Sequence, residues 1–86
     1  MYKVVLLVHA EKFYRKLLHS QPMLFKRIDN ALESLKTEPF KGKPLKDNLK
    51  GKCSLRVGDY RIIYSVEKHI VTVYVFDIGH RREIYR

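Results

Sequence analysis

Tyr2 to Val8 is a nearly continuous apolar run rich in β-branched residues, and it predicts a strand covered on at least one face. From Ala10 the period changes. Phe13 and Leu17, with Tyr14 and Leu18 beside them, recur at helical spacing between Lys12, Arg15 and Lys16. Ser20-Gln21-Pro22 closes this first helix and can open a second, since serine is a good N-cap and proline is tolerated in a first turn. Leu24, Ile28, Ala31, Leu32 and Leu35 form the apolar stripe of that second helix, which is expected to end near Thr37, ahead of Pro39.

Residues 39–51 hold two prolines, two glycines and four lysines. They read as an irregular basic loop, anchored by Phe40, Leu45 and Leu49. Alternation then takes over. Lys52–Val57 is a strand, Gly58-Asp59 a two-residue turn of the primed kind, and Tyr60–Val66 the return strand. Glu67-Lys68-His69 turns the chain into a last strand, Ile70–Phe76, and residues 78–86 form a tail. The order is β-α-α-β-β-β. The fold class is therefore α+β, with an N-terminal helical hairpin on a mainly antiparallel, curved sheet, in one domain spanning residues 1–86.

Composition agrees with a packed domain, since 45% of the residues are hydrophobic. The lone Cys53 cannot form an internal disulfide, and no apolar run approaches the ~18 residues of a membrane span, so a cytoplasmic location is expected. Charge changes the picture most. Eighteen Lys and Arg against nine Asp and Glu give +9, and residues 41–61 alone carry seven basic and two acidic side chains. Such a field attracts anionic partners: nucleic acid, an anionic membrane surface or an acidic protein.

The hairpin register focuses that charge. A turn at Gly58-Asp59 sets Val57 opposite Tyr60, Arg56 opposite Arg61 and Leu55 opposite Ile62. Lys52, Ser54, Arg56 and Arg61 then share one face, while Cys53, Leu55, Val57, Ile62 and Tyr64 face the core. Two opposed arginines repel, and a phosphate bound between them converts the repulsion into bidentate attraction. His9, His19, His69 and His80 have no metal-ligand spacing, and no metal or cofactor is expected.

The segment Ser54-Leu55-Arg56-Val57-Gly58-Asp59-Tyr60-Arg61-Ile62-Ile63-Tyr64, followed by Val71–Phe76 and Ile78-Gly79-His80-Arg81-Arg82-Glu83-Ile84-Tyr85, resembles the RelE/ParE superfamily of bacterial and archaeal toxins. The resemblance spans essentially the whole chain and favours the RelE-like branch, with its microbial ribonuclease fold. It implies the toxin of a type II toxin–antitoxin system, an endoribonuclease cutting mRNA in the ribosomal A site by metal-independent attack of a ribose 2′-hydroxyl, which blocks translation. The same resemblance leaves open a ParE-like toxin that poisons DNA gyrase, or an inactive binding homologue. It implies a small RelB-like antitoxin as partner, beside mRNA on the ribosome.

Carried over by position, Arg61 and Arg81 hold the phosphate, Lys52 assists the 2′-hydroxyl and Tyr85 orients or stacks on a base. His80 stands where relatives are often basic and is a candidate acid or base. Lys43, Lys46, Lys50, Arg56 and Arg82 are the expected RNA-binding positions. Ser54 departs from the pattern, because well-studied RelE enzymes carry a second lysine there.

Overall fold

The computed structural model describes residues 1–84, with side chains through Arg82. Strand β1 (Lys3–Leu6) leads into helices α1 (Val8–Ser20) and α2 (Pro22–Ser34). A two-residue strand β2 (Lys43–Pro44) and a 3-10 turn at Asp47–Leu49 precede β3 (Cys53–Val57) and β4 (Tyr60–Glu67). A second 3-10 turn at Lys68–Ile70 leads to β5 (Thr72–His80) and the short α3 (Arg81–Ile84). The five strands form one mixed sheet in the order β1-β5-β4-β3-β2, with β1 parallel to β5 and the other pairings antiparallel. No helix among the described residues is long and apolar enough to cross a membrane.

The two amphipathic helices bury one face of the sheet. Ala10 and Leu17 of α1, with Ile28, Leu32 and the adjoining Leu35 of α2, meet Val57, Ile62, Tyr64, Val73, Val75 and Ile78 in one core. Tyr14 ties the helices together by donating its hydroxyl hydrogen to Asp29 Oδ1 at 2.7 Å, and its ring packs on Phe25 at 4.7 Å.

Several sequence expectations shift. The first strand is shorter, because Val8 already belongs to α1. Ser20 does not cap α2: its Oγ donates back to the Lys16 carbonyl, Gln21 takes the N-cap place without a side-chain bond, and Pro22 opens the helix. Helix α2 stops at Ser34 and the chain turns through residues 35–37. The basic loop contains β2, and Pro39 is buried while Phe40 is 55% exposed, so Phe40 is no anchor. The last strand starts at Thr72 and runs on through Ile78, Gly79 and His80, which were expected in the tail.

The hairpin stands where the turn chemistry put it. Val57 pairs with Tyr60, Arg56 with Arg61 and Leu55 with Ile62. Gly58 has φ +61°, while Asp59 keeps a negative φ, which is the type II′ pattern.

Candidate functional site

The helix-free face of the sheet is built by alternation from this register. Arg56, Arg61 and Gly79 form one cross-strand row, and Ser54, Ile63 and Asp77 form the next. Ser54 and Ile63 are only 6% and 4% exposed although no helix lies over them, so they make a floor beneath the longer side chains. A register shift between Ile63 and Tyr64 leaves Phe76 as an extra residue on β5. Such a bulge re-aims side chains, and here it lets Phe76 and Asp77 both face the open side. Lys52 lies over the Phe76 ring with its ammonium 4.3 Å from the centroid, a cation–π contact that fixes a flexible side chain.

Arg61 is the centre of the arrangement. It is half-buried, and its Nε is sealed from solvent with no hydrogen-bond partner among the described residues. Arg56, directly across, donates from its Nε to the Gly58 carbonyl at 3.0 Å and so is held at the turn. From α2, the Arg27 guanidinium approaches the other side of Gly58, whose missing Cβ would lie 3.1 Å from its Nη2. Arg81 opens α3, and its backbone N–H donates to the Asp59 carbonyl at 2.9 Å, which anchors the tail to the same turn. Among the described residues the ion pairs are Glu11–Arg15 and Glu33–Lys36, both in the helical layer. Lys52, Arg56, Arg61 and Arg81 thus form no ion pair among those residues, and Asp77, one row from Arg61, is the acidic neighbour on the open face.

The other expected residues divide. Lys43 on β2 pairs directly with Ser54, which sets its side chain on the open face beside the row of Ser54, Ile63 and Asp77. Lys46, Lys50 and Arg82 are exposed around the loop and tail. His80 does not join the group. It pairs with Tyr60, a core-facing residue, stands edge-on to that ring at 5.4 Å, and lines a helix-side cleft with Phe13, Lys16, Ser20 and Gln21. Successive residues of β4 point to opposite faces, so His80, level with Tyr60, falls on the side away from Arg61. Tyr85 lies outside the described residues.

Neither the Arg27 contact at the turn nor the open-face position of Phe76 is legible in the sequence. Arg27 looks like any charge on an amphipathic helix, and the bulge that turns Phe76 outward interrupts strict alternation. Burial pushes the Cys53 thiol up, and its hydrogen-bond partner is the Tyr64 hydroxyl. Burial also raises Tyr64, whose oxygen accepts the Gly42 N–H at 2.9 Å.

Comparison with known proteins gives this geometry a family. The profile described as ParE toxin of type II toxin-antitoxin system, parDE, matches residues 4–85. The chain is 37% identical over 75 residues to toxin RelG of Mycobacterium tuberculosis, covering 84% of this chain and 86% of the relative. It is 40% identical over 45 residues to toxin RelE of the same organism, covering 52% and 46%. Among solved structures, the RelBE2 toxin–antitoxin complex of M. tuberculosis superposes with a TM-score of 0.81 at 30% identity, covering 93% of this chain and 98% of that one. The isolated E. coli RelE toxin superposes with a TM-score of 0.75 at 23% identity over 99% and 92%, a likeness of fold. The chain belongs to the RelE/ParE family and is a toxin of a type II toxin–antitoxin system.

Proposed function

We propose that this toxin is an endoribonuclease that cuts mRNA in the ribosomal A site and so stops translation. The observation that carries the reading is the half-buried Arg61, set opposite Arg56 with an unpartnered Nε and no carboxylate partner among the described residues. A sheet that tolerates opposed, unneutralised arginines fits an anion supplied from outside. The relatives named RelG and RelE support the nuclease branch.

In the proposed reaction the ribose 2′-oxygen loses its proton and bonds to the adjacent phosphorus. The P–O5′ bond breaks, and the 5′-oxygen gains a proton, leaving a 2′,3′-cyclic phosphate. The transition state concentrates negative charge on the phosphoryl oxygens, and preorganised guanidinium groups stabilise it. Arg61 and Arg81 hold those oxygens, Lys52 assists departure of the 2′-hydroxyl proton, and Tyr85 orients the base. Arg56, Lys43, Lys46, Lys50 and Arg82 line the approach of the strand. A RelB-like antitoxin restrains the toxin in the cytoplasm, as toxin–antitoxin complexes among the similar structures suggest.

The test is primer-extension mapping on programmed ribosomes with wild type, Arg61→Ala and Tyr85→Phe. Cuts confined to the A-site codon and strongly reduced in the variants are expected. The profile's ParE description and a similar structure named YoeB/ParE toxin favour one rival, gyrase poisoning. Growth arrest without cleavage, accompanied by trapped gyrase on DNA, would establish that rival instead.

A further inference from the structure

His80 ends β5 and immediately precedes α3, whose first amides need acceptors outside the helix. Arg81 N–H finds the Asp59 carbonyl, and Arg82 N–H donates to His80 Nδ1 at 3.2 Å. A side-chain acceptor on the residue before a helix, bonded to the second helical amide, is an N-cap. The ring is held for this task. It stands edge-on to Tyr60 with an interplanar angle of 79°, and Tyr60 packs in turn on Phe13 of α1 at 6.1 Å.

We propose that His80 is a positioning residue whose neutral imidazole caps α3 and fixes the backbone carrying Arg81 and Arg82. The consequence for cleavage rests on the ribonuclease reading above; the cap itself does not. An acceptor Nδ1 leaves the neutral ring's proton on Nε2, on the side of the cleft. Lys16 of α1 and Tyr60 of β4 line the same cleft as the ring.

The experiment compares full-chain wild type with His80→Asn, His80→Gln and His80→Ala. Asn places an oxygen where Nδ1 sits, whereas Gln places its polar atoms near the Nε2 position. Arg82 amide exchange should be about tenfold faster in Gln and Ala than in wild type and Asn, the size of a lost cap. Ribonuclease cleavage should be retained by Asn and reduced about tenfold by Gln and Ala, on the same scale. Equal Arg82 protection in all four proteins overturns the cap. Asn as inactive as Ala, with Arg82 still protected, overturns positioning in favour of proton transfer. If wild type cleaves no RNA the ribonuclease reading fails, and amide exchange still decides the cap. If Ala does not fold, the contrast of Asn with Gln in Arg82 exchange and in cleavage decides between the two outcomes.

Discussion

Arg61 holds its place against local energetics. Its Nε is dehydrated without a bond, and its cross-strand neighbour is another arginine. Both features cost stability in the free protein, and both become favourable when a phosphate arrives. Replacing Arg61 by Met keeps the length of the stem and removes the charge, so it should stabilise the free toxin by about 1 kcal/mol. Thermal unfolding would show this as a rise of several degrees. Cleavage should fall at least about 100-fold, the scale of one lost transition-state donor. A lowered melting temperature would mean that the guanidinium is structurally satisfied, contrary to this account. A second residue-scale effect concerns Tyr14, whose hydroxyl is pushed up to about 12, first by burial and then by its bond to Asp29. The folded state therefore favours the neutral phenol. Its contribution is fully present below pH about 10, the ordinary tyrosine value, and is lost as pH rises through about 12. The stability difference between wild type and Tyr14→Phe, followed by chemical denaturation, should stay level up to about pH 10 and then shrink.

At the scale of elements, strain and register carry the argument. Val71 follows the 3-10 turn at Lys68–Ile70 with φ 49° and ψ 49°, a left-handed conformation costly for a β-branched residue. The position is exposed, and its backbone is already used: its carbonyl accepts the Lys3 N–H at 2.9 Å. Val71→Asn should keep that bond and relieve the strain, raising stability by about 1 kcal/mol in denaturant titrations. An unchanged or lower midpoint would mean the valine side chain is packed more usefully than its exposure implies. The β3–β4 hairpin was legible in the sequence because Gly58-Asp59 fixes the turn, and the turn fixes every pair. Strand β2 was not legible, because two residues ending in proline carry no period and the pairing partner lies beyond another turn. The reach of β5 was missed for a related reason, since the bulge at Phe76 breaks alternation where the strand continues. The lost strand matters for the site. Only the pairing of Lys43 with Ser54 shows that a loop lysine stands beside the floor of the open face. Lys43→Ala is accordingly expected to slow cleavage about tenfold, the scale of one exposed cation in a substrate site, and Lys46→Ala, further along the loop, should slow it less.

For the whole molecule, one sheet face is spent on the helical core and the other carries a cluster of cations beside Asp77. The net charge of +9 is not averaged over the surface, because the described ion pairs lie in the helical layer. Legibility divides along the same line. Charge, register and Arg61 could be read from the chain, but the side of the sheet taken by His80 depends on how far β5 runs before it ends. A cationic face makes binding salt-dependent in a countable way. If Lys43, Lys52, Arg56, Arg61 and Arg81 each neutralise one phosphate of a single strand, the logarithm of affinity should fall with the logarithm of salt concentration at a slope of about −3.5. The probe is a short RNA with a 2′-deoxy sugar at the reacting position, which binds but cannot undergo the attack. Fluorescence anisotropy between about 50 and about 200 mM salt gives the slope, and Arg61→Met should reduce its magnitude by about 0.7. Arg15→Gln, which removes a cation already paired with Glu11 on α1, should leave the slope unchanged. Equal losses in both variants would mean that RNA meets a diffuse positive field, and the assignment of the open face as the binding surface would fail.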